Sequence, residues 1–440
     1  MKASQSQSMS RRSAARLIAG SVVSGLAAPA VTNRLAYAEP RAPQLSEADS
    51  AFLDEMERQA CLYFYEQADP ATGQVLDRAN NRISNGQLDS RFASSIAATG
   101  FGLTALCIAD SRRYMPSDRI RRRVLATLQF HLRPMPTEHG FYYHFNDVKT
   151  GLPLLNIEVS PIDTALLLCG VLTCRAHFSK DQKIVDLATQ IYNRVDWPWM
   201  MNGGKTFALG WLPATGFLSP RWDHYAEMMM MYLLAIGSPT HPIDPSNWAN
   251  FSRPRMKFEK FNFISGHDPL FIHLYSHAWF DFYRKRDAFA DYFTNSVTAV
   301  RAHKAFCLSL NRGYSEDYWG ITASDWIHGY TAWGGPPLMG PIDGSVVPCA
   351  TAGSLPFLSR DCLRVLRSLK DKYGEYAWGR YGPCDALHPT LSWYDADVLG
   401  IDLGISLLMA ENLRSGFVWR TFMQNPEAVN AMKLAGFRNY

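Results

Sequence analysis

The feature that most constrains the fold is a long succession of helix-period apolar segments with almost no strand-type alternation. Apolar side chains recur at helical spacing over residues 51–65, 94–111, 119–132, 161–178, 181–195, 225–236, 270–282, 288–307, 361–372, 401–413 and 426–434, which predicts helices there and places the chain in the all-α class. Between them run long stretches dense in Gly, Pro, Trp and Tyr, notably 197–222, 238–266 and 311–357. Loops of that length are usually functional. Modest helices joined alternately by short turns and long aromatic loops suit a ring of helical hairpins with the loops gathered at one end around a cleft. An irregular helical bundle would show the same periodicity.

Composition removes several alternatives. The 440 residues are 47% hydrophobic and 19% charged, too apolar for a disordered chain and too poor in charge for a coiled coil. Of the net charge of +4, the basic share belongs to Lys2, Arg11, Arg12, Arg16 and Arg34, with no acid among residues 1–38. The remainder is nearly neutral, so no nucleic-acid footprint is expected. Residues 1–38 themselves have the pattern of a twin-arginine signal peptide: Ser10-Arg11-Arg12, a mildly apolar stretch over 14–30, and an Ala36-Tyr37-Ala38 cleavage site. A single exported domain over 39–440, delivered folded to the periplasm, is the expectation. No later stretch has the roughly 18–20 uninterrupted apolar residues of a membrane span, and a monomer is expected. The eight cysteines are scattered, form no C-x-x-C pair and sit in apolar runs, which reads as buried free thiols.

Three motifs are weighed and set aside. Gly100-Phe101-Gly102-Leu103-Thr104-Ala105 fits a dinucleotide fingerprint but lies inside a helical run with no preceding strand, so close helix packing explains its glycines better. Gly203-Gly204-Lys205-Thr206 lacks the leading glycine of a phosphate loop, since position 199 is Trp199. His273, His277 and Asp281 share one helical face if 270–282 is continuous, the best metal candidate, yet the glutamate of H-E-x-x-H is missing and a packed or sugar-facing wall is preferred. No metal and no organic cofactor are expected.

Carboxylates in aromatic surroundings remain, and paired carboxyl groups are what cleaves a glycosidic bond. Glu227 is followed by Met228-Met229-Met230-Met231, surroundings poor in water that raise a carboxyl pKa and suit a general acid. Asp223 stands one turn earlier on the same face, flanked by Trp222 and Tyr225. Ser160-Pro161-Ile162-Asp163 opens a helix, so Asp163 is at once a capping residue and a catalytic candidate. Glu158 just ahead of it, Asp385 and Asp402 complete the set, and spacing does not rank them.

Several blocks, taken together, resemble one family, the glycoamylase-like domain. They include Ser95-Ile96-Ala97-Ala98-Thr99-Gly100-Phe101-Gly102, His139-Gly140-Phe141-Tyr142-Tyr143-His144-Phe145, Glu158 through Leu167, Trp222-Asp223-His224-Tyr225-Ala226-Glu227, Tyr275-Ser276-His277-Ala278-Trp279, Trp319 through Asp325 and Glu411-Asn412-Leu413-Arg414, in consistent order over about residues 46–423. That domain occurs in bacterial endo-β-1,2-glucanases of glycoside hydrolase family 144 and in cyclic β-1,2-glucan synthases. The resemblance implies an (α/α)6 toroid, a β-1,2-glucan substrate and no cofactor. It implies catalytic roles for Glu227 first, then Asp163 and Glu158, then Asp385. Trp222, Tyr225, Trp279, Trp319, Trp378 and Tyr381 are expected to stack on sugars, and Arg91, Asp223, His273, His277 and Asp402 to bind hydroxyls. Pro383 and Leu387-His388 depart from the family pattern, as does Leu403. A transglycosylase, a hydrolase of another β-glucan linkage and a non-catalytic glucan-binding protein are the alternatives.

Overall fold

Side chains fix where many helices begin. In the computed structural model, which describes residues 45–266, 269–337 and 340–440, Ser46, Ser95, Ser160, Asp181 and Asp291 each accept a hydrogen bond from the backbone N–H three residues on. Each satisfies a donor that a helix start leaves open. The signal peptide expected at 1–38 lies outside the described residues. In chain order the helices are α1 (Glu47–Glu66), α2 (Ile96–Arg112), α3 (Ser117–Leu132), α4 (Pro161–His177), α5 (Gln182–Asn193), α6 (Trp197–Met201), α7 (Met229–Gly237), α8 (Tyr275–Trp279), α9 (Tyr292–Ser309), α10 (Pro348–Ala352), α11 (Ser359–Tyr373), α12 (Gly400–Arg414), α13 (Phe417–Phe422) and α14 (Pro426–Leu434).

Every segment with helical spacing contains helix, and two are shorter than expected. The segment at 225–236 becomes helical only at Met229, and 270–282 divides into a 3-10 turn, Leu270–His273, and the single turn α8. In both cases tertiary bonds take the backbone first: the Tyr225 N–H donates to the Ser252 carbonyl (2.8 Å) and the Phe271 N–H to Thr322 Oγ1 (3.1 Å). The short helices α6, α10 and α13 carry no readable period. The strands are two-stranded ribbons of two to four residues each.

Burial sorts the helices into two layers. In α2, α4, α7 and α12 nearly unbroken runs are buried on all sides, the mark of interior helices. By contrast α3, α5 and α11 bury one stripe each. The interior helices neighbour one another: α2 packs on α4 and on α12, α4 on α7, and α10 on α12, while the Met230 N–H of α7 donates to Ser276 Oγ of α8 (3.0 Å). Outside them, α1 covers α2 and α12, α5 covers α4, and α14 covers α7. All eight cysteines are buried free thiols, as their surroundings imply.

The segments that lead into the interior helices are tied to each other. Leu76 bridges Ser94, Arg78–Asn80 pairs with Asp397–Leu399, and Ala93–Ser95 pairs with Phe145–Asp147. Val159 bridges both Tyr143 and Trp211, and Phe207–Ala208 pairs with Arg221–Trp222. On the other side the Asp385 N–H donates to the Asp397 carbonyl, Val346 bridges Leu387, and the Val347 N–H donates to the Gly320 carbonyl. These ties join the lead-ins of α2, α4, α7, α10 and α12 to one another, and Glu158, Asp163, Asp385 and Asp402 lie in or just after them. No helix among the described residues is long and apolar enough to cross a membrane.

Candidate active site

Two carboxylates meet at the start of α4. Ser160 caps the helix, its Oγ accepting from the Asp163 N–H (3.1 Å) while its hydroxyl donates to Asp163 Oδ2. The capping role is therefore real, but it uses one carboxylate oxygen only. Asp163 Oδ1 lies 3.7 Å from His144 Nε2, and His144 Nδ1 lies 3.1 Å from Glu158 Oε1. The imidazole is stacked on Phe145 (3.9 Å between centroids). His144 thus stands between the two acids and couples their charges, since protonating one ring nitrogen fixes what the other can do.

A second, larger group of acids gathers at the start of α12. Asp385 is buried, and its Oδ2 accepts the Asp325 N–H (2.7 Å). Burial, then the charges of Asp402, Asp325 and Asp395, push its carboxyl pKa well up. Burial and the Asp325 charge likewise raise Asp395 to about 7. Asp325 is raised by burial, opposed by Arg78, which bonds both Asp325 and Asp77. Arg91 grips Asp397 with two N–H groups (2.7 and 2.9 Å), and the Tyr275 hydroxyl donates to Asp402 Oδ1 (3.2 Å). Crowded carboxyls in a low dielectric hold protons near neutral pH, the property a general acid needs.

Glu227 sits between these groups in sequence, on the lead-in to α7. Its carbonyl accepts from the Ser276 hydroxyl (2.6 Å), and Ser276 Oγ in turn accepts the Met230 N–H (3.0 Å), so Ser276 pins the backbone at the acid. The side chain is largely buried beside the fully buried Met228 to Met231, the dry setting expected. The helical relation between Asp223 and Glu227 is corrected: both precede α7, and Asp223 is exposed and paired with His224 Nδ1 (2.6 Å).

The structure also corrects several expected sugar contacts. Trp279, Trp319, Tyr225 and Tyr381 have no accessible surface. Trp279 Nε1–H donates to Thr104 Oγ1 of α2 (3.0 Å), and Gln67 Nε2–H donates to the Tyr381 hydroxyl (2.6 Å). Trp378 packs on Phe52 of α1 and donates to Gln59 Oε1 (2.8 Å). Trp222 is mostly covered. His273 lies 3.2 Å from the Tyr225 hydroxyl and His277 lies 3.0 Å from Ser296 Oγ, each buried. The break at Leu274 also dissolves the common face of His273, His277 and Asp281; Asp281 turns to Lys285 (3.3 Å) instead. Aromatic rings are the residues most readily used by a core, and spacing alone does not separate core from cleft.

Of the expected residues, then, the structure joins Glu158 to Asp163 and Asp385 to Asp402, and leaves Arg91 in an ion pair. The reading of the sequence missed His144, Arg78, Asp77, Asp325, Asp395 and Asp397. The triple of acids in Tyr394-Asp395-Ala396-Asp397 and Asp402 just before and inside a buried helix was the available signal. Oxygens of Asp325, Asp395 and Asp397 come within 4.8 Å of one another, a spacing that could hold a cation. Arg78 and Arg91 already pair with Asp325 and Asp397, supplying the positive charge a cation would bring.

Comparison with known proteins bears on the fold and the family. Residues 219–426 match the Glycoamylase family, described as "Putative glucoamylase". A curated relative from Parabacteroides distasonis, an exo β-1,2-glucooligosaccharide sophorohydrolase acting at the non-reducing end, is 25% identical over 420 residues and 86% of this chain. The chain spans 57% of that relative's length. The endo-β-1,2-glucanase of Chitinophaga pinensis, solved with sophorotriose and glucose, superposes with a TM-score of 0.80 at 25% identity, over 90% of this chain and 99% of that one. A β-1,2-glucanase structure from Parabacteroides distasonis gives a TM-score of 0.80 at 22% identity, covering 88% and 60% of the two chains, which speaks for the fold alone. The resemblance seen in the sequence blocks therefore holds: residues 219–426 are similar to the Glycoamylase family, and over most of its length the chain shares the helix-rich fold of these glucanases.

Proposed function

We propose that this protein is a glycoside hydrolase acting on β-1,2-linked glucan, built on an (α/α)6 toroid and exported to the periplasm by its twin-arginine leader. The observation that carries this reading is the gathering of acids in two groups: Glu158 and Asp163 held on His144, and Asp385 and Asp402 within the Asp325 group. The β-1,2 linkage comes from the relatives, whose named substrates are of that class.

In this reading Glu227, in a dry pocket and pinned by Ser276, protonates the leaving glycosidic oxygen as the bond to the anomeric carbon breaks. An ionised carboxylate opposite either takes a proton from the water that attacks the anomeric carbon, or itself attacks that carbon to form a glycosyl ester, which water then cleaves as Glu227 takes the water's proton and the carboxylate leaves. Asp163 and Glu158 fill that role, with His144 balancing their charge. Asp385 and Asp402 hold the far side of the cleft, and Arg91 offers hydrogen bonds to hydroxyls.

The test is to incubate the chain from residue 39, and its Glu227→Gln variant, with linear β-1,2-glucan and follow the products by chromatography and NMR. Short oligosaccharides from the parent only, with a loss of at least about a hundredfold in the variant, are expected. The anomer first formed decides between inversion and retention. Release of products from another β-glucan but not this one would reassign the linkage, and glucan binding without any release would make the chain a binding protein.

A further inference from the structure

Three of the large apolar side chains that the structure leaves in the open lie in or beside the strand ties that lead into α2 and α4. Phe92 is 60% exposed, Leu152 59% and Leu155 89%. Phe92 and Leu152 belong to one small antiparallel patch of the belt that ties the helix starts. Ala93–Ser95 pairs with Phe145–Asp147, the Val148 N–H donates to the Phe92 carbonyl (2.8 Å), and the Asp147 N–H donates to the Leu152 carbonyl (2.8 Å). Phe92 is therefore held by its backbone while its ring faces water.

Its neighbours on either side are the two acid groups. One residue before it, Arg91 grips Asp397 and keeps about a third of its side chain open. Three residues after it, Ser95 pairs with Phe145, beside the His144 that joins Glu158 to Asp163. At the rise of a strand, Phe92 lies about 10 Å along the belt from that pair, a distance that a glucan chain covers in a few residues.

Resting on the hydrolase reading above, we infer that Phe92, with the Arg91–Asp397 pair next to it, is a sugar-stacking subsite that binds a remote residue of a linear glucan chain and sets the preference for chain length. A pyranose presents an apolar face of C–H groups and a rim of hydroxyls. A fixed aromatic ring covers the first, and a half-open guanidinium–carboxylate pair can exchange hydrogen bonds with the second. The fully buried Trp and Tyr rings cannot serve in this way, and Phe92 is an aromatic side chain placed between the two acid groups with its face available. Binding energy gained here is remote from the bond that breaks and would act on long chains more than on short ones.

The experiment compares Phe92→Ala and Phe92→Trp with the parent. For each, kcat/KM is measured on sophorotriose and on long linear β-1,2-glucan, and migration is measured in native gels cast with β-1,2-, β-1,3- or β-1,4-glucan. Phe92→Ala is expected to lower the ratio of long-chain to short-chain kcat/KM by about fivefold or more, through KM, and to lose retardation in the gel that slows the parent. Phe92→Trp should keep both within about twofold. Equal losses on long and short substrates, or no change in either ratio or retardation, would overturn the subsite. A shift in sedimentation of the parent that Phe92→Ala abolishes, with glucan binding intact, would assign the patch to a second copy of the chain instead. If the parent cleaves nothing, the hydrolase reading fails, while retardation by a glucan and its loss in Phe92→Ala still decide the subsite.

Discussion

Gly100 of α2 and Gly170 of α4 face each other at the crossing of two interior helices. A Cβ on Gly170 would stand 2.1 Å from the Gly100 carbonyl oxygen, and one on Gly100 would stand 2.3 Å from the Leu166 carbonyl oxygen. Both obstacles are backbone atoms, which cannot turn aside. Gly100→Ala and Gly170→Ala are each expected to destabilise by about 1–3 kcal/mol or more, as overpacking does. Urea unfolding of the two variants checks this, and unchanged midpoints would show that the helices can part without cost.

His144 should matter to turnover without touching the bond that breaks. Replacing it by Ala removes the ring that lies 3.1 Å from Glu158 Oε1 and 3.7 Å from Asp163 Oδ1, so both carboxyl groups lose the contact that positions them. His144→Ala is expected to lower kcat at least about tenfold, with rescue by His144→Gln, which keeps a polar group at that place. A kcat within a factor of two, on a protein with parental circular dichroism, would remove His144 from the site.

Asp395 gives the fold a pH dependence of its own. Its carboxyl is raised to about 7 by burial and by the Asp325 charge. A raised folded value means the folded state binds the proton more tightly. The stabilisation is fully present below the ordinary carboxyl value near 4 and is lost as pH rises through about 7. Asp395→Asn, which is neutral throughout, should flatten the fall of Tm across that window. An unchanged slope would place the titration elsewhere.

Three buried histidines act in the opposite direction. Burial lowers His131 to about 4 and both His277 and His303 to about 3. A lowered folded value means that the unfolded chain takes up the proton first. Their contribution is present above about 6.5 and is lost as pH falls below it. Nε2 of His303 accepts the Ile321 N–H (3.1 Å), a bond that a glutamine oxygen can replace. His303→Gln should therefore lose less stability than the parent between pH 6.5 and 4, as measured by Tm.

The sequence by itself determined the helices and their packing class. Periodicity found every long helix, Ser160 marked the start of α4, and Gly100 and Gly102 were read as packing glycines rather than a cofactor loop; the close contacts of both agree. These features are local, set by side chains within one turn of each other. The same holds for the capping box that puts Asp163 beside Ser160.

Only the tertiary structure decided which polar and aromatic groups share a site. His144 reaches Glu158 across a turn and Asp163 across another, and Asp325 meets Asp385 at a separation of 60 residues. Nothing in spacing encodes such encounters, because they are made by the ties between lead-in segments rather than by any one helix. Those ties also took the backbone of residues 225–228 and 271–274 away from the helices that periodicity predicted, and they broke the row of His273, His277 and Asp281. The core claimed Trp279, Trp319 and Tyr381, since burying an aromatic ring removes more apolar surface from water than leaving it in an open cleft. Phe92 kept its face open because its own backbone is bound into the belt and no helix covers it.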